Sequence, residues 1–374
     1  TLQSVADHLG VSRTTVSNAY NRPDQLSAEL RARVLAAAAE LGYHGPDAAA
    51  RQLRRGRTGT LGVVLTSRLS DALVDADSAL LLRGAAVALE EAAARGAGAG
   101  AHALALVPVP PDTDGARAAV SSVAVDGWLL YSLPDDHPAV TAVVERGQPV
   151  VVVDEPDLGA GVSFVGVDDR TGARLAAEHL VELGHRHLGI VTLPLATRAV
   201  PGPVAPARLA RPRLRILRER LAGWFEVLDA AGIADVPVWE AAANHPDAGR
   251  EAATALLAAH PELTAVLAAS DQLAIGVTQA ALRAGVAVPD ELSVVGFDDV
   301  PRAARWDPPL TTVRQPLADK GRAAVELLLA EPRRPGSADR TDAASGQTRH
   351  RTSRRIEFPV ELVVRASTAP PRRP

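Results

Sequence analysis

Cysteine is absent from this chain of 374 residues, which excludes disulfides, thiol nucleophiles and thiolate zinc sites. Methionine is absent as well. No apolar run approaches the ~18 residues of a membrane-spanning helix. No basic-then-apolar leader ending in small residues is visible either. Catalytic signatures are equally scarce: there is no triad order, no phosphate-binding loop and no metal cluster of standard spacing, so no enzyme and no cofactor is expected. His179, His185 and His187 lie near one another in sequence, but at a spacing that suits no usual metal site. Gly96-Ala97-Gly98-Ala99-Gly100-Ala101 fits a dinucleotide fingerprint as text. It follows a helical segment rather than a strand, and reads as a helix-end loop.

What is present is an apolar fraction of 47%, enough for large cores, in a length that suits about two or three domains. The net charge of −4 hides an asymmetry. Arg13, Arg22, Arg31, Arg33, Arg51, Arg54, Arg55 and Arg57 outnumber Asp7, Asp24, Glu29, Glu40 and Asp47 in the first 58 residues. The remainder is acidic. A basic piece joined to an acidic one suggests that one part meets a polyanion.

The first 42 residues read as three short helices, with Thr1, Ser12 and Ser27 as caps and Gly10 and Gly42 as stops. The second helix is expected over Arg13–Tyr20, broken by Asn21-Arg22-Pro23. Residues 46–59 contain a weak helix, Ala48–Leu53, and a basic linker. From residue 60, apolar runs alternate with amphipathic segments. The runs Leu61–Leu65, Gly127–Tyr131, Val150–Val153, Leu188–Thr192, Ala265–Ala268 and Ser293–Phe297 suit strands buried on both faces of a parallel sheet. Leu81–Ala94, Arg170–Leu183, Glu219–Ala231, Ala248–Ala259 and Leu273–Ala284 separate them as helices, and a last strand is expected over Glu357–Arg365. Residues 194–213 and 332–355 read as long surface loops. The fold class is therefore an α/β unit of two Rossmann-like subdomains behind an all-α N-terminal domain.

Ser4 to Asn21 has the form of helix, glycine-containing turn, helix. Val5, Ala6, Leu9, Val11 and Val16 pack the helices, leaving Arg13, Thr14, Ser17, Asn18 and Asn21 on an outer polar face suited to base edges and phosphates. This segment resembles the LacI family. The resemblance rests on Leu2, Val5-Ala6, Gly10-Val11-Ser12, Thr15-Val16-Ser17 and Asn21, and continues through Val34, Leu41-Gly42-Tyr43 and Pro46–Leu53. It implies that Arg13, Thr14 and Asn18 read bases while Ser12, Thr15, Ser17 and Asn21 position the backbone. Asn18 departs from the arginine frequent there in the family, so the operator sequence does not transfer. The resemblance also implies a hinge that becomes helical on DNA, with Leu53 as a minor-groove wedge, Ala49 and Ala50 small enough for two hinges to pair, and Arg51 on phosphate. An ordinary linker is the plainer reading of Leu53.

Later motifs extend the resemblance over nearly the whole chain and imply a periplasmic-binding-protein-like sensor. Glu219–Trp224 puts Arg220 at an effector position, with a helix-surface salt bridge as the plainer alternative. Ala269–Gly276 brings Ser270, where the family usually has Asn, and Asp271, which also suits a helix cap. Val294–Asp299 brings Asp298 as a hydrogen-bond acceptor at a strand end. Pro308–Val313 looks like a crossover between lobes. The implied domains are a helix-turn-helix over 1–45, a hinge over 46–59 and a two-lobed sensor over 60–374. The N-lobe takes about 60–160 and 315–331, and the C-lobe about 161–314 and 356–366. The expected function is an allosteric, cytoplasmic, homodimeric DNA-binding regulator, a repressor on a pseudo-palindromic double-stranded operator, answering a sugar-like small-molecule effector. The alternative on the same two-lobed fold is a solute-binding protein of the periplasmic sugar-binding type.

Overall fold

The computed structural model describes all residues except 44, 46–57, 67–68, 96–102, 111–112, 332–352 and 373–374. The chain forms two compact units, Thr1–Gly59 and Thr60–Pro374. The hinge residues Ala49, Ala50, Arg51 and Leu53, the Gly96–Ala101 stretch and most of the 332–355 segment lie outside the described residues.

In the first unit, each of the three expected caps is in place. Thr1 Oγ1 accepts from Ser4 N–H (3.2 Å) at the start of α1 (Leu2–Leu9). Ser12 Oγ accepts from Thr15 N–H (3.0 Å) at the start of α2 (Arg13–Asn21). Ser27 Oγ accepts from Leu30 N–H (3.2 Å) at the start of α3 (Ala28–Glu40). Each satisfies an amide that has no partner inside its helix. Gly10 ends α1 in the left-handed region (φ 65°), a conformation that glycine adopts without steric cost. Val5, Ala6, Val16, Ala19, Val34, Ala37 and Ala38 make the small core.

The second unit holds two sheets. The first has the order β12-β5-β4-β3-β1-β2, with β1 Thr60–Leu65, β2 Ala103–Pro108, β3 Gly127–Tyr131, β4 Val150–Val153, β5 Ser163–Val167 and β12 Arg355–Phe358, all parallel. The second has the order β13-β11-β10-β9-β6-β8-β7. Its strands are β6 Leu188–Thr192, β7 Gly202–Pro203, β8 Val238–Glu240, β9 Ala265–Ala268, β10 Ser293–Asp298, β11 Thr311–Arg314 and β13 Glu361–Val363, with antiparallel β7 and β13 at its edges. The helices of this unit are α4 Leu69–Val74, α5 Ala76–Ala94, α6 Thr113–Ser121, α7 Pro138–Glu145, α8 Asp169–Glu182, α9 Pro206–Leu209, α10 Arg215–Ala230, α11 Pro246–Ala259, α12 Asp271–Arg283, α13 Pro301–Arg305 and α14 Leu317–Ala330. They cover sheets whose central strands are buried throughout, which is why those strands read as unbroken apolar runs.

Three sequence expectations change. The single last strand is two: Pro359 and Val360 interrupt it, Arg355–Phe358 joins the first sheet and Glu361–Val363 the second. β5 pairs with β4, so Ser163–Val167 belongs to the first lobe and the lobe boundary falls after Val167 rather than at residue 160. Residues 194–213 contain β7 and α9. Buried Glu240 organises them, accepting from Val200 N–H (2.7 Å) and from Arg208. The chain thus passes between the described parts of the lobes after β5, after β11 and between β12 and β13. Thr311–Arg314 is itself a strand, and the crossing follows it at Gln315-Pro316.

Helix α14 packs on α5 at very short range. A Cβ on Gly84 would meet Ala318 O at 1.8 Å, and one on Gly321 would meet Leu81 O at 2.0 Å. This backbone-to-backbone approach seats Lys320 inside the fold.

Candidate functional site

On α2, residues 13, 14, 17, 18 and 21 fall within an arc of about 140° at 100° per residue. Val16 and Ala19 point the other way, into the core. Ser12, Arg13 and Thr14 are exposed, while Thr15, Ser17 and Asn18 are half-buried. Asn18 Nδ2 donates to Gln25 Oε1 (3.1 Å), which holds its amide on the outer face. Thr15 Oγ1 lies 2.9 Å from Ser12 Oγ. Asn21 closes the helix. A rigid, capped helix therefore presents short polar side chains and one guanidinium together, the form needed to enter a major groove.

The second unit encloses a cavity of about 880 Å³ at the carboxyl ends of the strands of both sheets. Ligands in open α/β folds bind at this end, because the loops there carry the polar groups. Arg220, Ser270 and Asp298 line it. Arg220 is brought in by Gly223, one turn later on α10: a Cβ there would stand 2.4 Å from Arg170 O, so only glycine allows α10 to lie this close to α8. The Arg220 guanidinium donates to Asp169 Oδ1 (3.0 Å) and Ala269 O (2.6 Å), lies 3.7 Å from Asp298 Oδ1, and stacks 3.6 Å from the Phe297 ring centre. Burial works against its charge, but Asp169 and Asp298 outweigh it and hold the pKa above the ordinary arginine value. The expected salt bridge and the expected wall position coincide, with the pair buried rather than on the surface.

Ser270 caps α12, accepting from Leu273 N–H (3.2 Å) and donating to Asn244 Oδ1 (2.6 Å). Asp271 differs from expectation on both counts. It is the first residue of α12 rather than its cap, and it does not line the cavity. Its oxygens accept from Val300 N–H (2.8 Å) and the Thr312 hydroxyl (2.5 Å), tying β10 to β11. Asp298 stands at the end of β10 with φ 111°, an unusual conformation for a residue with a side chain and one that clusters at functional sites. Burial pushes its carboxyl up to about 6 despite Arg220.

Sequence reasoning missed the other half of the wall. Asp77, Asp154, Glu155 and Gln315 line the cavity, and Lys320 stands directly behind it. Fully buried Lys320 donates from Nζ to Asp154 Oδ2 and to Gln315 Oε1, both at 2.6 Å. Gln315 Nε2 donates in turn to Asp298 Oδ1 (2.6 Å). Arg215 closes the circuit, reaching Asp169 Oδ2 (3.2 Å) and Asp154 O (2.8 Å). Burial, reinforced by Asp154 and Asp169, pushes Glu155 up to about 8. Asp154 and Glu155 follow the run Val150–Val153 directly, so the strand-end rule that found Asp298 also finds them. Lys320 is the single lysine of the sequence, but no neighbouring motif places it beside the cavity.

His185 Nε2 donates to Ala369 O (2.9 Å) while its Nδ1 lies 2.9 Å from Thr264 Oγ1, and His179 Nε2 lies 2.9 Å from Thr368 Oγ1, so both secure the C-terminal stretch. No helix among the described residues is long and apolar enough to cross a membrane.

Against known proteins, residues 1–46 match the family described as bacterial regulatory proteins, lacI family, and residues 177–368 match a periplasmic binding protein-like domain. The HTH-type transcriptional regulator Rv3575c of Mycobacterium tuberculosis is 42% identical over 335 residues, 89% of this chain and 91% of that protein. The lac repressor dimer bound to operator and the anti-inducer ONPF aligns with a TM-score of 0.72 at 27% identity, over 99% of both chains. The transcriptional regulator CelR in complex with cellobiose aligns with a TM-score of 0.65 at 29% identity, over 98% of this chain and 99% of that one.

Proposed function

This chain belongs to the LacI family of HTH-type transcriptional regulators, and from that premise we propose that it is a cytoplasmic repressor released or engaged by a sugar-like effector. The observation that carries the reading is one chain holding both an exposed, capped recognition face on α2 and a polar-lined cavity between two lobes. Two copies bind a pseudo-palindromic operator. Arg13, Thr14 and Asn18 read base edges, and Ser12, Thr15, Ser17 and Asn21 hold phosphates. Ala49, Ala50, Arg51 and Leu53 form the paired minor-groove hinge. The operator complex of the lac repressor dimer and the cellobiose complex of CelR support these two halves of the reading. Arg220, Ser270 and Asp298 contact the effector. Ligand binding changes the angle between the lobes and with it the fraction of dimers fit to bind DNA. Neither half of the reading calls for catalysis.

The test is selection of DNA from a random duplex pool, followed by a gel shift with and without pentoses, hexoses and disaccharides. Selected half-sites related by a two-fold axis, with a mobility shift altered by at least one sugar, are expected. Selection of no common sequence would overturn the regulator reading and favour a solute-binding protein.

A further inference from the structure

Arg213, Arg215 and Arg218 stand at and just before the start of α10, a helix of the second lobe: Leu217, Leu221 and Trp224 further along it are buried in that lobe's core. All three arginines reach the first lobe. Arg218 Nη2 donates to Asp135 Oδ2 (2.9 Å), Arg213 pairs with Asp136, and Arg215 Nε donates to the Asp154 carbonyl (2.8 Å). Asp135 and Asp136 lie in the turn between β3 and α7.

Side chains on both faces of this contact are set by their own lobe. Asp135 Oδ1 accepts from Asp157 N–H (2.8 Å), which leaves Oδ2 for the arginine. Arg218 Nη1 donates to Pro212 O (3.3 Å) and Arg213 O (3.2 Å), which leaves Nη2 for the acid. Prior ordering of this kind lowers the side-chain entropy that an exposed ion pair loses on forming. The contact also frames the cavity. Pro134 and His137, on either side of the two acids, line it, and so do Thr197 and Leu214 on the arginine side. Leu195 O accepts from Arg213 N–H (2.8 Å), closing the base of the 194–213 stretch beside the contact. Glu240 ties the rest of that stretch to the second sheet.

We propose that Asp135 and Asp136 of the first lobe and Arg213 and Arg218 of the second form a clasp over the mouth of the cavity, which holds the lobes together and parts when the cleft opens. The clasp differs in kind from the buried circuit behind it. Its four side chains are 36–56% exposed, whereas the Arg220–Asp169 and Lys320–Asp154 pairs are nearly or wholly shielded from solvent. Dissolved ions therefore screen the clasp and spare the circuit. Ionic strength thus acts on the sensor as well as on the phosphate contacts of the DNA-binding unit, and the two effects are separable by mutation.

The clasp rests on the effector reading only for what the mouth would admit. Its test needs neither DNA nor sugar, so it can fail while the regulator reading stands. The chain has no cysteine, which allows Ala118→Cys on α6 and Ala255→Cys on α11, both exposed, to carry spin labels on the two lobes of the full-length protein. Pulsed EPR then reads the interlobe distance at about 0.01 M and about 1 M salt, where charges act over roughly 30 Å and 3 Å. A longer or broader distance in high salt is expected in the parent. Asp135→Asn with Asp136→Asn keeps an acceptor for Asp157 N–H but removes both charges, and should show the parent's high-salt distances at both concentrations. Losing two exposed ion pairs should lower the ratio of short- to long-distance populations about 2- to 30-fold in low salt. Glu226→Gln, which removes an exposed pair with Arg170 inside the second lobe, should behave as the parent does. A parent distance indifferent to salt, a double variant that still answers salt as the parent does, or an equal effect of Glu226→Gln would overturn the clasp.

Discussion

Arg13 and Thr14 stand in solvent on a helix whose other face fills a small core, whereas Arg220 and Asp298 are buried between two sheets and held by partners from several elements. The first arrangement separates function from stability. Solvent satisfies these side chains, so changing them costs the fold little. The second arrangement merges the two. Arg220 is the counterion of Asp169 and Asp298, Lys320 that of Asp154, and removing either cation leaves a buried charge without its partner.

The comparison is broken most directly at Lys320. Lys320→Met leaves Asp154 buried and unpaired, and should cost about 3–5 kcal/mol in urea unfolding of the second unit. Adding Asp154→Asn should recover much of that loss. If Lys320→Met alone unfolds like the parent, the circuit is not a stability element. The next effect lies on the other side of the contrast. Arg13→Ala should weaken binding to the selected operator by about 1–3 kcal/mol. Its melting temperature should not move, since surface changes stay within roughly 0.5 kcal/mol. A large thermal shift would place Arg13 among the residues that hold the unit together. The smallest effect sharpens the contrast within the first unit. Ser12→Ala removes the α2 cap and should cost about 1 kcal/mol of that unit's stability, read by amide exchange in α2.

The same contrast governs what could be read in advance. The helical unit was legible nearly residue by residue, because caps, stops and apolar spacing are local signals: Thr1, Ser12, Ser27 and Gly10 all act where their neighbours imply. The central strands were legible because burial on both faces leaves apolar runs. β11 was not, since Thr311 and Thr312 look polar in sequence. Each is fully buried, and each hydroxyl is hydrogen-bonded, Thr312 to Asp271 and Thr311 to Thr368. The 194–213 stretch looked unstructured for a related reason: its order comes from Glu240, far along the chain. In the cavity, Arg220, Ser270 and Asp298 were found through motifs and strand ends. Gln315 and Lys320 were not, because their role exists only once the chain has crossed back and α14 has settled against α5 on paired glycines. Asp271 misled because adjacency in sequence to Ser270 is not adjacency in direction.

Among the described residues, one passage runs from β12 to β13, a second from β11 into α14, and a third from β5 into α8, where a Cβ on Gly172 would meet Val313 of β11 at 2.9 Å. The covalent links among the described residues therefore run along a single flank of the cleft. Linkers set side by side resist sliding and twisting while permitting a bend across them. The sensor is thereby reduced to one mechanical degree of freedom, a hinge angle, and whatever occupies the cleft can send no richer message than how far that angle has swung.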